Sequence, residues 1–275
     1  MTSPLHVVRS GTGPVLLLIH GSAADHSTWS IQLASSLRDR FCLWAYDRRG
    51  TGASQDPARA PGATPAGDRV VPVTIEQHAD DAAELARQAG APVWVAASSF
   101  GSVIALDLCR RYPERVRGAA LIEPPMTASD DAPVAPADFI DRLDGLAQAQ
   151  GGEAAAEVFL RTVLGDEAFE RMPMTFRRRS MRMWPQIRAD SLALAAYRPR
   201  YQELGAVQVP TLLLGGERSA AYFRPTLEAL ARALPRARLE IVKGAGHMLH
   251  AEAFRTFAEL LVGMAAGAPP ATPAV

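Results

Sequence analysis

The chain has 275 residues, of which 48% are hydrophobic and 21% charged, a composition typical of a folded globular protein. Its 29 basic and 29 acidic residues cancel, which argues against binding to nucleic acid through a basic surface. The longest candidate apolar run, Val15–Ile19, is far shorter than a membrane span, and the first residues lack a signal-peptide pattern. Two cysteines, Cys42 and Cys109, cannot build a disulfide framework or a metal cage by themselves. We therefore predict a cytoplasmic protein without nucleic-acid or membrane partners.

Short apolar runs alternate with longer helical patterns along the chain. Val15–Ile19 is continuously apolar, as expected of a strand buried on both faces of a parallel sheet. Further strands are predicted at residues 41–46, 93–97, 119–122, 211–214 and 238–242. Helices are predicted from the capping-box pattern of Thr74 and Gln77 to Gly90, and at residues 100–112 and 223–234. The alternation predicts an α/β fold with a mostly parallel central sheet flanked by helices.

Two stretches interrupt this alternation. Residues 55–72 are rich in Pro, Gly and Ala and predict a mobile loop. Residues 124–206 carry helical patterns at 137–149, 153–164 and 167–181 but no convincing strand. They predict a helical cap inserted into a core that consists of residues 1–123 and 207–262. Residues 263–275 are mainly small residues and prolines and predict a disordered tail.

Residues 93–102 have the sequence VWVAASSFGS, in which a predicted strand enters a turn of small residues and then a helix. This pattern is typical of a nucleophile elbow, whose consensus G-x-S-x-G holds a serine on a tight strand-to-helix turn. Ser99 is the central serine, Ala97 stands in place of the first glycine, and Gly101 keeps the second. The alternative interpretation is a serine that caps an ordinary helix.

Three more motifs follow predicted strands, namely His20-Gly21-Ser22, Asp47-Arg48-Arg49-Gly50-Thr51-Gly52 and Gly244-Ala245-Gly246-His247. In this order, with the serine elbow and the helical insertion between them, they resemble the α/β-hydrolase family over residues 15–262. The resemblance implies that Ser99 is the nucleophile and His247 its general base. It also implies an oxyanion hole formed by the backbone N–H groups of Ser22 and Phe100. His20 and Asp47 match family positions that are mainly structural.

The acid of the implied triad departs from the common family pattern. The strand after the cap continues as GGERS, so Ser219 stands where most relatives carry an aspartate. Two carboxylates could orient His247 instead, Glu217 on the same loop and Glu123 at the end of the strand before the cap. The place of Glu123 resembles that of the acid in zearalenone-type lactonases and certain haloalkane dehalogenases. We therefore predict Glu123 as the orienting acid, with Glu217 as the alternative.

A serine nucleophile with a histidine base favours acyl transfer to water over the opening of carbon–halogen or epoxide bonds. We predict hydrolysis of a small, apolar carboxylic ester or lactone through an acyl-enzyme. Aromatic and methionine residues of the cap, among them Phe159, Met183 and Trp184, could wall a substrate pocket or pack the cap against the core. A carbon–carbon bond hydrolase with the same triad and a non-hydrolytic receptor or cyclase stay open as alternatives, and so does a homodimer.

No motif calls for a cofactor or a metal. Gly11-Thr12-Gly13 precedes a predicted strand, whereas a dinucleotide-binding loop follows one. His247 and His250 lack the helical H-E-x-x-H context of a zinc site, and we expect His250 at the surface or behind the site. We therefore predict that the activity needs neither a cofactor nor a metal.

Overall fold

A computed structural model describes residues 5–54, 73–90, 92–129, 136, 138–198 and 201–267. The loop predicted at residues 55–72 lies outside these ranges. In the described part of the chain, seven strands form one sheet in the spatial order β1-β3-β2-β4-β5-β6-β7. The strands are β1 Val7–Ser10, β2 Val15–Ile19, β3 Cys42–Tyr46, β4 Val93–Ser98, β5 Val116–Ile122, β6 Thr211–Gly216 and β7 Ala237–Val242.

Strands β2 to β7 pair in parallel, as the alternation predicted, and β1 pairs antiparallel with β3 at the edge of the sheet. Strand β1 was not predicted from the sequence. This strand has only four residues, is half-buried and exposes Arg9, so it lacks the apolar run that identifies the central strands. The side chains of β2 are buried on both faces of the sheet. Leu17 and Ile19 pack on the side of the helices at Ile75–Gln88 and Phe100–Arg111, and Leu16 and Leu18 pack on the opposite side with Phe257.

The described helices are α1 Ser30–Ala34, α2 Ile75–Gln88, α3 Phe100–Arg111, α4 Phe139–Gln150, α5 Gly152–Leu164, α6 Asp166–Arg171, α7 Met174–Met181, α8 Trp184–Ala196, α9 Tyr201–Leu204, α10 Phe223–Ala233, α11 Leu249–Glu252 and α12 Phe254–Ala265. Helix α2 begins at the predicted capping box. The Thr74 hydroxyl accepts the Gln77 N–H (3.2 Å), and the Gln77 side chain accepts the Thr74 N–H (3.0 Å). Within the described ranges, every helix is too short or too polar to cross a bilayer.

Helices α4 to α9 lie between β5 and β6, in the segment for which a helical cap was predicted, and we use the word cap for these six helices. Most of them share an apolar centre that includes Leu160, Phe169 and Trp184, and Ala23 from the loop after β2 also belongs to it. The prediction of one helical segment at residues 167–181 is wrong, because the chain forms two helices there, α6 and α7, on either side of Pro173. Proline lacks the N–H that a helix interior needs and disfavours a helical residue before it.

Two further segments differ from what the sequence predicted. Helix α8 was not predicted, although it contributes buried residues to both the cap and the core. The tail predicted from Gly263 begins too early, because α12 continues to Ala265 and packs its apolar side on the sheet. Residues 268–275 lie outside the described ranges. The division into a core and a cap stays a prediction.

Candidate active site

Ser99 occupies the tight turn between β4 and α3, in a backbone conformation that a residue with a side chain rarely adopts. Its φ is 53° and its ψ is −123°, and its N–H donates to the Ile122 carbonyl at 2.8 Å. Strain of this kind costs about 1–3 kcal/mol and persists only where the surroundings hold it. The Ser102 hydroxyl helps to hold the turn, because its oxygen lies 2.9 Å from both the Ala97 and the Ile122 carbonyl oxygens and its one proton is shared between them.

The close approach of α3 to β2 explains the glycine after the serine. A Cβ atom on Gly101 would lie only 2.5 Å from the Ile19 carbonyl oxygen and 2.6 Å from that of His20. Ala97 stands at the other small-residue position and is fully buried. The structure therefore places Ser99 in the strand–turn–helix geometry that the sequence motif predicted.

His247 follows β7, and its ring contacts the carboxylate of Glu123, a residue that precedes the cap in the sequence. Its Nδ1 lies 2.5 Å from Oε2 of Glu123, and both side chains are almost fully buried, at 4% and 1% exposure. Oε1 of Glu123 accepts the Gly216 N–H at 2.7 Å. Glu123 also has a positive φ of 42° at the end of β5. Each oxygen of this carboxylate thus has a defined donor, which fixes the side chain against the imidazole.

The loop after β6 supplies no carboxylate to His247. Glu217 accepts the Gly244 N–H at 2.8 Å and is exposed. The Ser219 hydroxyl is buried and has no hydrogen-bond partner among the described residues. Instead, Phe223 at the start of α10 stacks on the His247 ring, with centroids 4.6 Å apart and an angle of 12° between the planes. Sequence reasoning did not predict this contact, since only the position of Phe223 at the start of a helical pattern was visible.

The loop after β2 lies directly against the serine turn. A Cβ atom on Gly21 would lie 3.0 Å from the Ser98 carbonyl oxygen and 3.1 Å from the Cβ of Ser99, so a side chain here would require the serine turn to shift by a few tenths of an ångström. The Gly21 carbonyl accepts from His20 Nδ1 (2.8 Å) and from Arg48 Nη2 (3.2 Å). Burial, and then the charge of Arg48, hold the pKa of His20 well below its usual range. A neutral His20 can therefore donate from Nδ1 while its Nε2 accepts the Arg48 N–H (3.1 Å).

Ser22 and Phe100, the implied oxyanion-hole residues, flank this arrangement. The Ser22 hydroxyl donates to Asp190 Oδ2 of α8 at 2.8 Å. Phe100 is fully buried at the start of α3, and the Arg48 guanidinium lies over its ring at 4.5 Å from the centroid. Sequence reasoning missed Arg48 and Asp190. The motif containing Arg48 was recognised, but its partner lies 142 residues away.

The three cap residues suggested for substrate binding have different surroundings. Trp184 is buried in the apolar centre of the cap, and Phe159 is partly buried against the same centre. Met183 is partly exposed at the residue before α8. Packing within the cap thus accounts for Trp184, whereas the role of all three in binding stays a prediction.

His250 is buried at 1% exposure, so the surface position, one of the two that were expected, is wrong. Its ring packs with its centroid 4.7 Å from that of the Trp29 ring, and burial lowers its pKa to about 3.

A separate group, His6, His26 and Asp47, brings three potential metal-ligand atoms within 4.8 Å of one another. Asp47 accepts from the backbone N–H and ring Nδ1 of His26 and from the Ala53 N–H (2.7–2.8 Å). These hydrogen bonds hold Asp47 and His26 together, and the His6 ring packs with its centroid 5.0 Å from that of the His26 ring.

The sequence matches the model of the alpha/beta hydrolase family over residues 16–260, and the chain belongs to this family. It is 27% identical to the carboxylesterase YbfK of Bacillus subtilis over 90% of this chain and 79% of that protein. It is 35% identical to the uncharacterized hydrolase YraK of Bacillus subtilis, a match that spans only 41% of this chain and 38% of that protein. The structure of a thermophilic esterase from Thermogutta terrifontis is similar, with 26% identity, a TM-score of 0.76 and coverage of 96% of this chain and 93% of that one.

Proposed function

We propose that the protein hydrolyses a carboxylic ester or lactone through an acyl-enzyme formed on Ser99. The observation that carries the proposal is the buried hydrogen bond of 2.5 Å between His247 Nδ1 and Glu123 Oε2, which leaves Nε2 as the basic nitrogen of the ring. A histidine oriented in this way serves as a general base toward a serine held on a strained turn.

In the proposed reaction, Ser99 Oγ attacks the carbonyl carbon while His247 Nε2 takes the hydroxyl proton. The carbonyl oxygen gains negative charge and is stabilised by the backbone N–H groups of Ser22 and Phe100. The C–O bond of the ester then breaks, and the leaving alcohol takes the proton from His247. Water, deprotonated by His247, then attacks the acyl-enzyme, the bond between the acyl carbon and Ser99 Oγ breaks, and Ser99 takes the proton back from His247 as the acid is released. Glu123 keeps Nδ1 protonated and balances the imidazolium charge during both the formation and the hydrolysis of the acyl-enzyme.

The relatives support ester chemistry because one is named a carboxylesterase and another an esterase. The apolar side chains of the cap support a small, apolar substrate, with Phe159, Met183 and Trp184 as the residues we propose near it. A lactone is an intramolecular ester and passes through the same steps. The proposal includes a cytoplasmic location and needs no cofactor.

Covalent labelling with a fluorophosphonate tests the nucleophile, because this reagent reacts with a serine that a histidine activates. We expect one label on the peptide that contains Ser99, hydrolysis of 4-nitrophenyl esters or of a lactone panel, and loss of both in Ser99→Ala. Ser98→Ala is the matched control, since the neighbouring serine belongs to β4, and it should keep labelling and turnover.

Absence of labelling and of turnover on esters and lactones would refute the proposal and favour a receptor or cyclase. Labelling at Ser99 combined with turnover of a vinylogous diketone but of no ester would instead assign carbon–carbon bond hydrolysis.

A further inference from the structure

Residues of the cap hold the loop that follows β2 at three points. Asp190 of α8 accepts from the Ser22 hydroxyl at 2.8 Å. Ser180 of α7 donates to the Ala23 carbonyl at 2.8 Å, and Ala23 has a positive φ of 55°. Arg179 lies 3.3 Å from Asp25. The loop that contains half of the proposed oxyanion hole is therefore in direct contact with the cap.

The link through Asp190 continues into a buried ion pair. Arg48 Nη1 and Nη2 donate to the two carboxylate oxygens of Asp190 at 3.1 and 2.7 Å. The Arg48 side chain is fully buried and that of Asp190 is 5% exposed. His78 Nε2 lies 3.3 Å from Arg48 Nη1, and burial followed by the Arg48 charge holds the pKa of His78 well below its usual range. A neutral His78 thus accepts from the guanidinium and adds no charge to the pair.

The ion pair contacts both residues that share the peptide bond between Gly21 and Ser22. Arg48 Nη2 donates to the Gly21 carbonyl at 3.2 Å, while Asp190 Oδ2 binds the side chain of Ser22. The Gly21 carbonyl and the Ser22 N–H belong to the same planar peptide group and point in opposite directions. Fixing the carbonyl toward Arg48 and His20 therefore fixes the direction of the Ser22 N–H.

Stability alone does not call for an ion pair at this place. Well-packed apolar residues of similar volume often replace a buried ion pair without loss of stability, because the charges lose their hydration. A bidentate guanidinium–carboxylate pair does supply fixed geometry. The surroundings use that geometry, because Arg48 also lies over the ring of Phe100, whose N–H is the other proposed oxyanion donor.

We propose that Arg48 and Asp190 are positioning residues that couple the docked cap to the oxyanion hole. The pair aims the Ser22 N–H at the carbonyl oxygen of a substrate bound at Ser99, so a cap that is not docked leaves this donor misdirected. The inference rests on the proposed function, because an oxyanion hole acts only if acyl transfer occurs at Ser99.

The test measures kcat and KM for a 4-nitrophenyl ester, together with the inhibition constant of phenylboronic acid. This inhibitor forms a tetrahedral adduct with an activated serine and so reports on the oxyanion hole. Removal of one oxyanion donor lowers kcat by about 10²–10³-fold, and misdirection of a donor that is still present should lower it less. For Asp190→Asn we expect kcat about 10–100-fold lower, KM within about threefold, and the inhibition constant raised in parallel with the loss of kcat.

Asp144→Asn is the matched control. It breaks another carboxylate–arginine pair of the cap, in which Arg188 Nε lies 2.7 and 2.9 Å from the two Asp144 oxygens, and it makes no described contact with Ser22. We expect kcat within about twofold of the wild type, as for a change that makes no contact with the reacting groups. An equal fall of kcat in this variant and in Asp190→Asn would overturn the proposal, since general loosening of the cap would then explain both.

Two further variants keep the proposal falsifiable if Asp190→Asn does not fold. Ser22→Ala retains the backbone N–H but loses the hydroxyl that binds Asp190, and we expect kcat about 3–10-fold lower, a smaller loss than removal of a donor. The double variant Arg48→Met with Asp190→Leu should fold with a low kcat, because apolar residues can fill the place of the pair. A folded Asp190→Asn protein, or Ser22→Ala, with wild-type kcat would overturn the proposal. A wild-type protein that neither hydrolyses esters nor binds phenylboronic acid would instead refute the proposed function, and this inference with it.

Discussion

Glu123→Gln is the substitution that tests the proposed triad most directly, because the structure dictates how the new amide would be oriented. The Gly216 N–H donates to Oε1 of Glu123 at 2.7 Å and would select the amide oxygen. The amide NH₂ would then face Nδ1 of His247, where Glu123 Oε2 now lies at 2.5 Å. A donor in this position forces Nδ1 to accept, so the ring carries its proton on Nε2. That tautomer cannot take the proton of Ser99.

The size of the effect follows from this change of tautomer and from the burial of both groups. Replacing the buried acid of a serine-protease triad by its amide lowers kcat by about 10⁴-fold for the same reason. We expect a loss of about 10²–10⁴-fold, which corresponds to about 3–5 kcal/mol of transition-state stabilisation. The volume of the side chain is unchanged, so the variant should fold.

Initial rates with a 4-nitrophenyl ester at pH 8, with Ser99→Ala as the blank, measure the loss, and circular dichroism verifies the fold. Glu217→Gln is the control, and it should keep at least half of the activity because Glu217 is exposed and bonds the Gly244 N–H instead. The reasoning is refuted if Glu123→Gln retains more than a third of the wild-type kcat, or if the two variants lose activity equally.

His247→Ala should lower kcat/KM by several orders of magnitude, whereas His250→Ala should leave it within about tenfold; the reverse order, measured in the same ester assay, would contradict the assignment of the base. Phe223→Leu removes the ring stacked on His247 and should lower both kcat, by about 3–10-fold, and the free energy of unfolding, by about 1 kcal/mol, as measured by kinetics and urea titration. An unchanged kcat would show that the stack does not help to hold the imidazole. Acid should destabilise the protein through His250, because its pKa is about 3 in the folded state and about 6.5 when unfolded. Its neutral form contributes full stability above about pH 6.5, and the unfolded state binds the extra proton as the pH falls toward 3. Urea titrations should therefore show a decline of up to about 1.4 kcal/mol per pH unit from this group, which His250→Gln should reduce; an unchanged slope would contradict it.

Much of the fold was readable from the sequence because its signals are local. The continuous apolar run of β2 reflects burial on both faces, and the Thr74 and Gln77 pattern starts α2 through contacts three residues apart. The serine turn was readable from its small residues. Gly101 is small because the strand–turn–helix geometry brings backbone carbonyl oxygens within 2.6 Å of the place where its Cβ atom would lie. Signals failed where burial was partial, as at β1, or where the apolar period continued across a proline, as at Pro173.

The sequence by itself determined the family motifs and the two candidate acids, but only the tertiary structure decided which carboxylate meets the histidine. Glu123 and His247 are 124 residues apart, and they meet because β5 pairs with β6 and β6 with β7, which brings the carboxyl ends of these strands to one edge of the sheet. The contact of Arg48 with Asp190 also depends on where α8 docks over the loop after β2. Spacing along the chain carries no information about such pairs. Strand register and cap docking determine them, because those two features set the distances between side chains that are remote in sequence.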